Sequence, residues 1–142
     1  MSALADTVGA QMFAQDRASQ ALGMELLAIG PGEATLAMTV REDMANGFGI
    51  CHGGLIATLA DSAFAFACNA RNEMTVAAGF SVDFIAPARP GDRLTAVAVE
   101  RVLAGRSGVY DVGVRNQRDE VVALFRGKSH RMKDRPVVEG DA

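Results

Sequence analysis

At 142 residues, with 49% hydrophobic and 22% charged side chains, the chain has an ordinary globular balance and the length of one domain, residues 1–142. A net charge of -3 leaves no basic stripe, which excludes nucleic acid as a natural partner. The opening MSALADTVGAQMF has no basic segment and no unbroken apolar run, so a cytoplasmic protein without a secretory leader is expected. Cys51 and Cys68 flank one helical stretch and, with His52 and His130, form no zinc spacing, so free thiols and no metal are expected.

In chain order, residues 6–22 carry Val8, Met12, Phe13, Ala21 and Leu22 among polar positions, with Asp6 placed to cap and Gly23 to stop, which predicts a short amphipathic helix. From Met24 the period changes. Met24–Ile29 and Ala34–Val40 read as strands around the turn Gly30-Pro31-Gly32, because Ala34, Leu36, Met38 and Val40 alternate with Thr35, Ala37 and Thr39. After a helix considered next, Thr75–Ile85, Leu94–Leu103, Val109–Asn116 and Val121–His130 read as four more strands, and 131–142 as a mobile tail. The fold class is α+β: an antiparallel sheet curled around one apolar helix, because no other element is available to cover it. No glycine-rich dinucleotide or phosphate loop occurs.

The chain is organised around residues 46–69, NGFGICHGGLIATLADSAFAFACN. From Leu55 to Cys68 the only polar side chains are Thr58, Asp61 and Ser62, so the helix must be buried, and its fourteen residues are too few to cross a bilayer. A carboxylate in such a helix is costly unless paired, bonded or protonated. Asp61 is therefore a functional candidate, its plainer alternative being a bond to a neighbouring hydroxyl such as Thr58 or to a loop. At the other end, Cys51, His52, Gly53 and Gly54 form a bend where free backbone N–H groups and the helix dipole can polarise a carbonyl oxygen, or simply a glycine-rich turn. Eight residues separate Gly53 from Asp61, which is about 12 Å along a helix. One helix cannot bring both to one carbon, but two helices antiparallel across a two-fold axis can.

The segments NG…CHGG, LADSAFAFACN, SVDFIAPARPGD, GVYDV and VALFRGKSHR together resemble, in order, the hotdog-fold acyl-CoA thioesterases, specifically the phenylacetyl-CoA thioesterase type of phenylacetate degradation. The resemblance implies a six-stranded antiparallel sheet wrapped around the central helix, dimers that pair into homotetramers, and an acyl-CoA substrate. No cofactor is implied beyond the CoA of the substrate itself. By position, Gly53 is similar to the family's backbone donor to the thioester oxygen, and Asp61, from the facing subunit, to the acid that attacks or activates water. Asn46 is similar to the amide that places thioester or water, and His52 to the histidine that orients the loop. Ser81 aligns with a water-holding hydroxyl, and Gly54 belongs to the glycine pair that lets the ligand approach the backbone. Arg89, Arg106, Lys128 and Arg131 are candidates for the CoA phosphates, and Phe64, Phe84 and Met44 for an apolar acyl pocket. Two rival readings are a non-catalytic acyl-CoA sensor on the same fold and a cysteine enzyme using Cys51.

Overall fold

The computed structural model describes residues 2–139. In chain order its elements are α1 (Ala3–Gln15), α2 (Arg17–Ala21), β1 (Glu25–Gly30), β2 (Glu33–Thr39), one helical turn at Glu42–Met44, α3 (Gly53–Asn69), β3 (Thr75–Phe84), β4 (Arg93–Ala104), β5 (Ser107–Arg115) and β6 (Val121–Arg131). The six strands form one sheet in the order β1-β2-β4-β5-β6-β3. Every pairing is antiparallel.

The expected alternation governs which side chains meet α3. Leu36 and Met38 of β2, Leu94, Ala96 and Ala98 of β4, Tyr110, Val112 and Val114 of β5, and Phe125 of β6 are buried and join Ile56, Leu59, Ala60, Ala63, Phe64 and Ala67 of the helix in one core. Alanines at the centre of β4 let the sheet approach the helix. At one point only a glycine fits, because a Cβ on Gly127 would lie 2.9 Å from the Phe64 ring. Register shifts at Ala77/Gly79 and Glu100/Val102 add the local twist that curls the sheet around its rod.

The N-terminal region departs from expectation. Two helices form where one is expected over 6–22, and Ser2 is the cap, its Oγ accepting from Ala5 N at 3.1 Å; Asp6 lies inside the first turn. Asp16, at φ -85° and ψ 84°, leaves the helix and caps the next one, accepting from Ser19 N at 3.0 Å. Gly23 ends the region at φ 73°, as its position predicts. The pair lies beside α3, with Phe13 and Phe66 rings 6.2 Å apart.

The C-terminal segment also differs from the mobile tail expected over 131–142. Arg131 closes β6, Met74 N donates to Arg135 O at 2.8 Å, and Asn72 Oδ1 accepts from Val137 N and Val138 N at 3.0 and 2.8 Å. Val138 is buried. A run of polar residues conceals this anchoring, because its partners are Asn72 and the Met74 backbone, about 60 residues away along the chain. Residues 140–142 of that expected tail lie outside the described residues.

One edge of the sheet is open. β3 bonds only to β6, and along its ten residues only Thr75 and Val82 are even half-buried. Val76, Phe80, Phe84 and the following Ile85 all expose apolar surface there.

Candidate active site

The bend before α3 is held by backbone and by one amide. Asn46 Oδ1 accepts from Phe48 N at 2.9 Å and Ile50 N at 3.3 Å, while Asn46 N donates to Ile50 O at 2.7 Å. Cys51 N donates to Ala88 O at 2.7 Å and His52 N to Met44 O at 2.9 Å. These bonds bring the segment 84–88 alongside the helix start and form a cleft of about 380 Å³ lined by Asn46, Ile50, Gly53, Ile56, Phe84 and Ile85, among others. Among the described residues, the Nδ2 of Asn46 has no protein acceptor, so the amide faces the cleft with its donor free.

Helix α3 starts without a side-chain cap. His52 is the N-cap residue, its carbonyl accepting from Leu55 N at 3.0 Å and Ile56 N at 3.4 Å, and its exposed imidazole takes no capping bond. The loop is thus oriented by the His52 backbone rather than its ring. The N–H groups of Gly53 and Gly54 are left without an intrahelical partner, where the helix dipole is most positive. Gly53 lines the cleft, whereas Gly54 is exposed outside it. The Phe84 ring covers Gly53 so closely that a Cβ there would lie 2.7 Å from Cζ. Glycine is required here by contact, not by an unusual backbone angle.

Asp61 lies two turns along the same helix, on the strip Gly54, Thr58, Asp61 and Ala65 that the sheet does not bury. Its carboxylate accepts no hydrogen bond among the described residues. The Thr58 hydroxyl donates to Gly54 O at 2.7 Å and not to Asp61. Partial burial, and secondarily the charge of Asp16, push the Asp61 carboxyl above the usual aspartate range. An acid that is unpartnered, half-buried and raised in basicity suits proton transfer or attack.

The remaining candidates separate by place. Ser81 lies on β3 between the inward Phe80 and Val82, so the strand period sends it outward, into a cavity on the opposite sheet face with Asp83, Asp111 and Arg126. Within the protomer it does not meet the cleft. Lys128 alternates with the buried Gly127 and Ser129 on β6 and is exposed. Arg106 and Arg131 line a small cavity with Cys68, at the far end of α3 from Gly53, and Arg131 pairs with Glu73 at 3.4 Å. Arg89 is the one basic candidate at the cleft end, following Ala88 and bonded through its N–H to Asp92 at 2.9 Å. Of the acyl-pocket candidates Phe84 lines the cleft, while Phe64 and Met44 are 1% exposed and belong to the core. Residue spacing does not reveal Ile50, Ile56, Ile85 and Pro87 as cleft wall, nor Asp16 as a charge acting on Asp61.

Cys51 is buried, and burial raises its thiol pKa, which disfavours the thiolate a cysteine enzyme needs. Cys68 is also a free thiol, pushed up to about 12 by burial. Among the described residues no three His, Cys, Asp or Glu gather as metal ligands, and no helix is long and apolar enough to cross a membrane.

Comparison with known proteins agrees with this layout. The thioesterase superfamily model matches residues 48–123, from the bend to the first residues of β6. The acyl-coenzyme A thioesterase PaaI of Escherichia coli K12 is 45% identical over 121 residues, covering 85% of this chain and 86% of that protein. The structure of E. coli PaaI, from the phenylacetic acid degradation operon, superposes with a TM-score of 0.89 at 43% identity, covering 90% of this chain and 93% of that one. A point mutant of the phenylacetic acid degradation protein PaaI from Thermus thermophilus gives 0.79 at 41% identity, covering 82% and 100%. The sheet order, the single wrapped helix and these matches over most of the chain lead to one assignment: the protein belongs to the thioesterase superfamily and is a thioester hydrolase of the hotdog fold.

Proposed function

We propose that the protein hydrolyses acyl-CoA thioesters to the free acid and CoA, with phenylacetyl-CoA or a hydroxylated or ring-modified relative as substrate. The observation that carries this reading is the pairing on one helix of an uncapped Gly53 N–H, opening on an apolar cleft, with an Asp61 carboxylate that has no partner of its own. The Gly53 N–H receives the thioester oxygen and stabilises the charge that develops on it; such a donor is typically worth ~2.7–4 kcal/mol. Asn46 Nδ2 supplies a second donor at the cleft wall. Ionised Asp61 either attacks the carbonyl carbon, giving an anhydride that water opens, or removes a proton from the attacking water. In both routes the C–S bond breaks and the CoA thiolate leaves to be protonated. His52, on the exposed side of the bend, keeps the loop in register.

The two groups are about 12 Å apart along one helix, so the working site combines Gly53 of one subunit with Asp61 of a second. The open β3 edge, with its exposed Val76, Phe80 and Phe84, supports that association, because an unpaired apolar edge strand is a template for a second copy. Pairing of two dimers through the outer sheet face, where Val97, Val99 and Leu124 are exposed, extends it to a tetramer. Antiparallel pairing also brings the far-end Arg106 and Arg131 of the second copy toward the cleft, where with Arg89 they meet the CoA phosphates. The aryl preference rests on the cleft wall of Phe84, Ile50, Ile56 and Ile85 and on the 45% identity to E. coli PaaI.

Subunit complementation tests this. Asp61→Asn and Gly53→Pro, which removes the N–H at the first helical position and also presses a ring against Phe84 at the cleft wall, are each inactive as pure oligomers. Mixed oligomers regain phenylacetyl-CoA hydrolysis, because one site per hybrid dimer keeps both native groups. Mixtures that exchange subunits yet stay inactive would rule out the composite site. Binding of CoA esters without turnover by the native protein favours the sensor instead.

A further inference from the structure

The junction between α1 and α2 sits against the middle of α3, and its polar groups form one chain. Asp16 Oδ2 accepts from Ser19 Oγ at 2.7 Å, and Oδ1 accepts from Ser19 N at 3.0 Å. Ser19 Oγ is in turn 2.8 Å from Ser62 Oγ. An ionised carboxylate only accepts, so Ser19 donates to Asp16, and the Ser62 hydroxyl is left to donate to Ser19. Both serines are buried, at 1% and 9% exposure, so the bond that joins the two helical layers is shielded from water. Ser62 is the residue next to Asp61.

Capping α2 needs only the bond from Ser19 N, and the two buried hydroxyls with their bonds go beyond it. The arrangement places a second negative charge where its field reaches Asp61. Among the described residues Asp16 is the one charged group that acts on Asp61, and on α3 itself the nearest titratable group is the Cys68 thiol, two turns on.

We propose that Asp16 is a positioning residue for the hydrolysis: through Ser19 and Ser62 it ties the Asp61 turn of α3 to the α1–α2 junction, and its carboxylate stands as a fixed like charge beside Asp61. This rests on Asp61 being the acid that acts. The like charge makes Asp61 the stronger base or nucleophile once ionised, while the hydroxyl pair keeps Asp16 itself from turning toward it.

The pH profile of kcat/KM separates this from a purely structural role, since its acid limb reports ionisation of Asp61 in the free enzyme. Asp16→Asn keeps an oxygen to cap α2 and removes the charge, and Asp16→Ser does the same with another good cap. In whichever folds, the acid limb moves to lower pH by at least about half a unit. Asp16→Glu, which keeps the charge, leaves the limb near its native position. An unmoved limb in a folded, oligomeric Asp16→Asn or Asp16→Ser enzyme overturns the proposal. The two readings fail separately: a fully active Asp61→Asn removes the earlier one, whereas an inactive Asp61→Asn beside an unmoved limb removes only this one.

Discussion

The two ends of α3, about 25 Å apart at 1.5 Å per residue, are built on opposite principles. At the C-terminal end the asparagine side chains are fully engaged. Asn69 Nδ2 donates to Ala65 O and Thr75 O at 2.8 and 3.0 Å, its Oδ1 accepts from Thr75 N at 2.8 Å, and Asn72 holds Val137 and Val138. At the N-terminal end the cap is missing, two glycine N–H groups face outward and the Asn46 amide keeps a free donor. Asp61, between them, is likewise left unpaired. Unanswered polar groups weaken a fold slightly, and they are the groups that a reacting carbonyl or water can use. The closed end holds the rod in its sheet, and the open end is free to do chemistry.

The sharpest way to break this contrast is at Asp61. Asp61→Asn should lower kcat/KM for phenylacetyl-CoA by two orders of magnitude or more, on the scale of lost acid–base catalysis of about 10²–10⁴-fold. Its thermal midpoint should not fall. The sign follows from linkage: the folded carboxyl is raised, so the folded state binds more protons between the ordinary aspartate range and that raised value. Stability is therefore lost as pH rises through that window, and at neutral pH the neutral amide relieves the cost. A variant melting well below the native protein would place Asp61 in the structure rather than in the reaction.

Asn69→Ala should behave in the opposite way. It removes three hydrogen bonds at a buried site, and urea unfolding should register a loss of about 2–3 kcal/mol, with kcat of the folded fraction within about two-fold of native on the ordinary scale of remote substitutions. A large fall in kcat without a loss of stability would contradict the division between the two ends.

The smallest expected effect lies on the outer sheet face, remote from both ends. Asp111 is held at about 2, first by its bond to Arg126 at 2.7 Å and then by Arg101 at 2.9 Å. Its pKa is lowered on folding, so its contribution is present above the unfolded value and is lost as pH falls toward the folded one. Exposed arginines on both sides reduce that contribution to about 1 kcal/mol. Asp111→Asn should destabilise by that amount at neutral pH, and the difference should vanish in unfolding curves taken at the bottom of the acid range. A difference that persists there would trace to packing.

Much of this layout is legible in residue order. The strands declare themselves through alternation, as in Ala34, Leu36 and Met38, and the turn glycines Gly23 and Gly32 do adopt positive φ at 73° and 74°. An acid in an otherwise apolar helix points to Asp61, and the HGG bend points to an open helix start. Spacing fails where a residue's role depends on what lies across the core. Asp6 and Ser2 are equally plausible caps by type, and Ser81 aligns with a water-holding position although the strand period turns it outward. Phe64 and Phe84 are chemically alike, yet one is locked against Tyr110 at 5.5 Å and the other roofs the cleft.

Sequence alone determined the periods, the breaks and the identity of the lone acid in the central helix, because those follow from local backbone preference and from the free energy of hiding apolar surface. Tertiary structure alone decided that Phe84 covers Gly53, that Asp16 is linked through Ser19 to Ser62, the residue after Asp61, and that the segment after β6 is tied down by Asn72. Each of these joins elements far apart along the chain, and such contacts are set by strand register and sheet curvature, which no single segment encodes by itself.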